Sequence, residues 1–151
     1  MGVPTVVLAI LLIAPGLNQT RFAAQPSPDA AFAAYVEVLR QGVTSPDLAL
    51  YAPETRAWLR DRRITRSMQR SELAVLEAAA PSRRVRDDGA SRAVVCFPGH
   101  PEAPPYFLRR SAEGWTIDLM VMSRVIAFDR ANRWAVRDPN SQFAFGLGGC
   151  V

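Results

Sequence analysis

Apolar residues recur every three or four positions up to Pro81 and alternate after it, dividing the chain into a helical half and a strand half. Phe32, Tyr35, Val36, Leu39 and Val43 share one face of a helix that Ser27 caps, Pro28 opens and Gly42 ends. Ser45-Pro46-Asp47 is a second start signal ahead of Leu48-Ala49-Leu50-Tyr51, and Pro53-Glu54 restarts a helical stretch through Trp58 and Leu59. Thr65 or Ser67 caps a third helix with Met68, Val75, Leu76 and Ala79 on one side, stopped by Pro81.

Two hairpin signals follow. Asp87-Asp88-Gly89 separates the basic segment 82–86 from Ala93-Val94-Val95-Cys96-Phe97, and Ala112-Glu113-Gly114 joins 106–110 to 115–120. A three-residue second loop, with Gly114 left-handed, pairs Arg110 with Thr116 and gathers Phe107, Arg109, Trp115, Ile117 and Leu119 on one face. A two-residue loop pairs Arg110 with Trp115 and exchanges the two arginines between faces. Either register sets one arginine diagonal to Asp118, a cross-strand ion pair worth roughly 0.2–1 kcal/mol. Met122, Val125, Ile126 and Asp129 fit helical spacing, while Val125 to Phe128 also fits a short strand; a short helix or turn is expected before Asn132-Arg133-Trp134. Phe143-Ala144-Phe145 reads as a final strand with both phenylalanines on one side. Helices first and antiparallel strands afterwards predict an α+β fold, with the helices packed on one face of the sheet.

The amino-terminal segment changes the domain count. Val6-Val7-Leu8-Ala9-Ile10-Leu11-Leu12-Ile13-Ala14 is uncharged but short for roughly 30 Å of hydrocarbon, and small residues precede Gln25. The pattern predicts a signal peptide over 1–24, cut after Ala24, and a single domain over 25–151 in the periplasm or outside the cell. In such an oxidising compartment Cys96 and Cys150, the two cysteines of the chain, form one bridge or remain two thiols. A bridge closing about 54 residues constrains the unfolded chain by roughly 4 kcal/mol in the loop-entropy model. With His100 the single histidine and no Cys-x-x-Cys pair, neither a metal nor a cofactor is expected.

With 49% hydrophobic, 21% charged and 9% aromatic residues among 151, extended disorder, collagen and coiled-coil architectures are excluded. All 18 basic residues are arginine, against 14 acidic ones, for a net charge of +4. The lack of lysine removes Schiff-base chemistry and a phosphate-loop lysine. The charge suits an anionic partner but is small for a dedicated nucleic-acid binder, so nucleic acid is not an expected partner.

No Gly-x-Ser-x-Gly, Gly-x-Gly-x-x-Gly or His-Glu-x-x-His run occurs. Two residues compete for an acid–base role. Histidine is the residue type suited to acid–base work near neutral pH, but His100 sits in a Pro-Gly-His-Pro turn, where a solvated loop histidine is the plainer reading. Asp118 can be aimed by strand alternation into an apolar pocket and suited to proton abstraction, or it can be paired with Arg109 or Arg110. Arg56, Arg60, Arg63 and Arg70 line one stripe if a single helix runs through, and spread over a corner if the chain breaks near Ile64-Thr65. They either solvate a face or receive an acidic partner or anionic headgroups. Trp58 and Trp134, beside arginines, are core anchors or cation–π partners.

The helices followed by Tyr106 to Arg110, by Gly114-Trp115-Thr116-Ile117-Asp118 and by Phe143-Ala144-Phe145 resemble the nuclear-transport-factor-2-like, cystatin-like superfamily, over roughly residues 27–147. The resemblance implies a cone of curved antiparallel sheet wrapped on helices, with a pocket at its wide end. That superfamily mixes isomerases, dehydratases and noncatalytic binding modules, and none of its catalytic motifs maps onto this chain. The expected function is therefore an exported noncatalytic domain that binds a protein or small amphiphile, through a sheet concavity near Trp115 or through the Arg56–Arg70 surface. The alternatives are a small isomerase- or dehydratase-like enzyme using Asp118, and a peripheral binder of an anionic membrane surface.

Overall fold

The computed structural model describes residues 22–151, so the expected leader lies outside the described residues up to position 21. Helix α1 (Pro28–Gln41) begins where the Ala30 amide donates to Ser27 Oγ and ends at Gly42, whose φ of 65° lets the 42 and 43 amides turn back to Leu39 and Val38. The Ser45-Pro46-Asp47 signal opens only turns, and α2 (Pro53–Arg60) starts at the later proline. Helix α3 (Arg66–Ala79) is capped by Thr65, whose Oγ1 accepts from the Met68 amide.

Strands β1 (Arg84–Asp87), β2 (Arg92–Cys96), β3 (Tyr106–Ser111) and β4 (Gly114–Ile117) form an antiparallel sheet in the order of the chain. The fold is α+β, and α1, α2 and α3 lie against one sheet face as the sequence predicts. The β3–β4 register is that of the two-residue loop: Ser111 opposes Gly114 and Arg110 opposes Trp115. Consequently Leu108, Trp115 and Ile117 face the helices, while Phe107 lies on the opposite face, where the three-residue register would not have put it. The edge beyond β4 decides this. Gln25 exchanges two backbone hydrogen bonds with Trp115, and a Cβ on Gly114 would sit 2.6 Å from the Gln25 carbonyl oxygen. Gly114 thus serves a close backbone approach. Leu50 and Ala52 extend the same edge through Ile117.

The chain then departs from expectation. The strand ends at Ile117, Asp118 caps a short helix α4 (Leu119–Val125), and a separate hairpin follows, β5 (Ile126–Phe128) with β6 (Trp134–Val136). Both readings of 121–137 hold, in succession: Val125 closes the helix and Ile126 opens the strand. The expected last strand is instead a 3₁₀ turn, Ala144–Gly146. Phe143 stacks on Phe107 with centroids 4.4 Å apart, while Phe145 points to solvent, so the two rings do not share a side. The turn is drawn tight against β2: a Cβ on Gly146 would lie 2.5 Å from Val94, and Cys150 is bonded to Cys96 across a Cα separation of 5.6 Å.

Two cores result. Phe32, Tyr35, Leu39, Leu76, Val95, Tyr106 and Ile117 fill the helix side, and Val94, Phe107, Val125, Phe143 and Leu147 fill the other. Phe22 belongs to the first, 2% exposed, and its carbonyl accepts from the Leu50 amide at 2.8 Å. A cut after Ala24 would therefore remove a core ring and an edge contact together. Phe22→Ala is expected to lower unfolding free energy by about 3–5 kcal/mol in urea titrations; an unchanged midpoint would show that the ring contributes nothing.

Candidate functional site

An apolar cavity of about 310 Å³ opens between the helices. Leu39 of α1, Trp58 and Leu59 of α2, Met68 of α3, and Leu119 and Met122 of α4 form its walls. None of its lining comes from β1–β4, so the recess lies on the helix side and not in a sheet concavity. Its polar groups are segregated by depth. Gln69 and Glu72, acceptors from α3, are buried or half-buried; Arg62 and Arg63, donors from the α2–α3 corner, are exposed.

The deep acceptors follow from the helical period. Positions 69, 72, 76 and 79 lie along one stripe, and on α3 that stripe carries Gln, Glu, Leu and Ala. Met68, expected on the inner side, is 58% exposed, because the inward position falls one residue later, at Gln69. Glu72 Oε1 accepts the Tyr35 hydroxyl at 2.8 Å and the Tyr106 hydroxyl at 2.6 Å, joining α3 to α1 and to β3. No donor among the described residues reaches Oε2. Burial pushes the Glu72 carboxyl above its ordinary range, opposed by the two tyrosine hydrogen bonds. Burial and the Glu72 charge likewise hold Tyr35 and Tyr106 well above the usual phenol value, so both remain donors. Gln69, 4% exposed, donates from Nε2 to the Val43 carbonyl at 2.7 Å, but its Oε1 is buried without a partner.

At the mouth, Arg62 lies flat over Trp58, 3.8 Å from the ring centroid, with Nη1 donating to the Trp58 carbonyl. Neither Arg62 nor Arg63 has an acidic partner within salt-bridge distance among the described residues. The break at 61–65 spreads the four predicted arginines over a corner. Arg63 reaches the cavity, Arg56 a depression beside Glu113, and Arg70 one beside Gly42, while Arg60 is paired with Asp47 at 2.6 Å. Trp115 is a core residue, 7% exposed, on the helix face of the sheet. Trp134 is half-buried against the second core.

Asp118 is enclosed and fully engaged. Oδ1 accepts from the Thr55 hydroxyl and the Val121 amide, and Oδ2 is paired with Arg109, the diagonal arginine. It caps α4 and ties that helix to α2, and it does not line the cavity. His100 sits in the 98–103 turn with Nδ1 3.2 Å from Glu102 Oε1. Among the described residues no group of three or more His, Cys, Asp or Glu side chains is placed to hold a metal, and no helix is long and apolar enough to cross a membrane. No protein-family model, curated protein or solved structure matches the chain.

Glu72→Gln keeps both tyrosine donors satisfied and removes the titration. A carboxyl raised in the folded state stabilises fully below its unfolded pKa and loses that contribution as pH rises through its folded value. The stability of the wild type relative to Glu72→Gln is thus expected to fall as pH rises above about 4, the range of an unfolded glutamate. Asp88, Glu102 and Asp129, all held low, act with the opposite sign but cancel in the comparison. Parallel urea midpoints across that range would remove Glu72 as a buried titrating group.

Proposed function

We propose that the protein is an exported, noncatalytic binding domain that takes a small, largely apolar molecule into the helix-lined cavity. The observation that carries this reading is the recess itself, a cavity of about 310 Å³ whose walls are mainly apolar and aromatic side chains, with Gln69 and Glu72 as its buried or half-buried polar lining. A concave, mostly apolar lining with few polar groups takes up the apolar body of such a molecule. The lining holds no nucleophile–base pair: the single histidine is in a distant turn of the sequence and Asp118 is fully engaged. Export is supported by the uncharged run 6–14 and by the Cys96–Cys150 bridge, which persists in an oxidising compartment.

N-phenyl-1-naphthylamine, a neutral apolar fluorophore with one N–H, tests this reading. It is expected to bind saturably at one site with a rise in emission. Ser123→Trp, an exposed lining position, is expected to weaken that binding by about tenfold or more by filling the entrance. Emission that does not saturate, or that is identical in Ser123→Trp, would reject the cavity as the site.

A further inference from the structure

Resting on the cavity reading, we propose that the ligand is a free amphiphile with a carboxylate head, held at the mouth by Arg62 and Arg63 with its uncharged end inward. The groups lining the recess are polarised along its depth. Inside, the charged group of the lining is the half-buried Glu72 carboxyl, an acceptor from two tyrosine hydroxyls, and a second anion brought beside it would meet like charge in a poorly solvated space. Outside, the two charged side chains of the lining are arginines, which only donate. An anion can therefore rest at the rim and not at the floor, and a cation meets repulsion before it reaches Glu72.

Arg62 is also prepared for the task. Its guanidinium is fixed on the Trp58 face and tied by Nη1 to the Trp58 carbonyl, so part of the ordering needed for an anion is already done in the free protein. The planar fork suits a carboxylate, and the indole continues into the cavity wall as apolar surface for the first part of a chain. Leu39, Leu59 and Met122 extend that surface inward, and the thioethers of Met122 and of the exposed Met68 at the rim adapt to an alkyl chain.

The test displaces N-phenyl-1-naphthylamine from the full chain with dodecanoate, dodecanol and dodecyltrimethylammonium, each below its aggregation threshold. Dodecanoate is expected to displace the probe at about five- to tenfold lower concentration than dodecanol, with the ammonium weakest. The double substitution Arg62→Gln with Arg63→Gln is expected to abolish the carboxylate preference while dodecanol displaces as before, and raised salt is expected to shrink that preference in the wild type. Equal displacement by all three amphiphiles, or a preference that survives the double substitution, overturns the head-group assignment and leaves the cavity reading standing. Failure of the probe itself to bind overturns both. Sedimentation with phosphatidylglycerol vesicles at the affinity found for dodecanoate would reassign the arginines to a membrane surface.

Discussion

The carboxyl of Glu72 is the constraint around which the helical layer is arranged. A carboxylate placed on the inner stripe of α3 must find donors or be neutralised, because burial in an apolar surround is costly for an unpaired charge. Tyr35 and Tyr106 provide them from α1 and β3, and their rings, 5.6 Å apart, pack in the same core that positions the hydroxyls. Three elements remote in sequence are thereby held to one oxygen atom. The docking of α1 and α3 on the sheet and the shape of the cavity are consequently not independent: Tyr35 and Glu72, joined by one of these hydrogen bonds, both line the recess.

The opposite side of the sheet is closed by a different means. Its cover is a seven-residue helix, a short hairpin and a 3₁₀ turn, elements too brief to hold themselves. Asp118 anchors the first by capping α4 and binding Thr55, and the Cys96–Cys150 bridge anchors the last. By constraining a loop of 54 residues, the bridge disfavours the unfolded chain by roughly 4 kcal/mol in the loop-entropy model. That stabilisation falls on the segment with the least regular structure, and Gly146 permits it by bringing the backbone against Val94.

The sequence made the helix starts, the change of period, the sheet order and the cysteine pair legible, because caps, prolines and alternation are local signals. Register was legible only as two alternatives, since Gly114 satisfies either loop and the deciding contact comes from Gln25, ninety residues away in the chain. The 3₁₀ turn was hidden for the same reason: Phe143-Ala144-Phe145 alternates like a strand, yet a stacked Phe107 and a tethered Cys150 curl it. In the site, a signal was present but was assigned to the wrong side chains. The stripe 69, 72, 76, 79 is plain once the helix is phased on Leu76 and Ala79, and two polar residues on it mark a buried polar network. Phasing the helix on Met68 conceals them.

The two buried carboxylates show why residue type and burial alone do not locate a ligand site. Asp118 is the more enclosed, 1% exposed, and by strand alternation it was the natural candidate for chemistry. Yet three protein donors, one of them a guanidinium, converge on its two oxygens, which leaves it saturated by the fold. Glu72 receives both of its donors on one oxygen. What distinguishes a site from a strut is the bonding capacity left over after folding, and of these two carboxylates it is Glu72, on the cavity wall, that retains it.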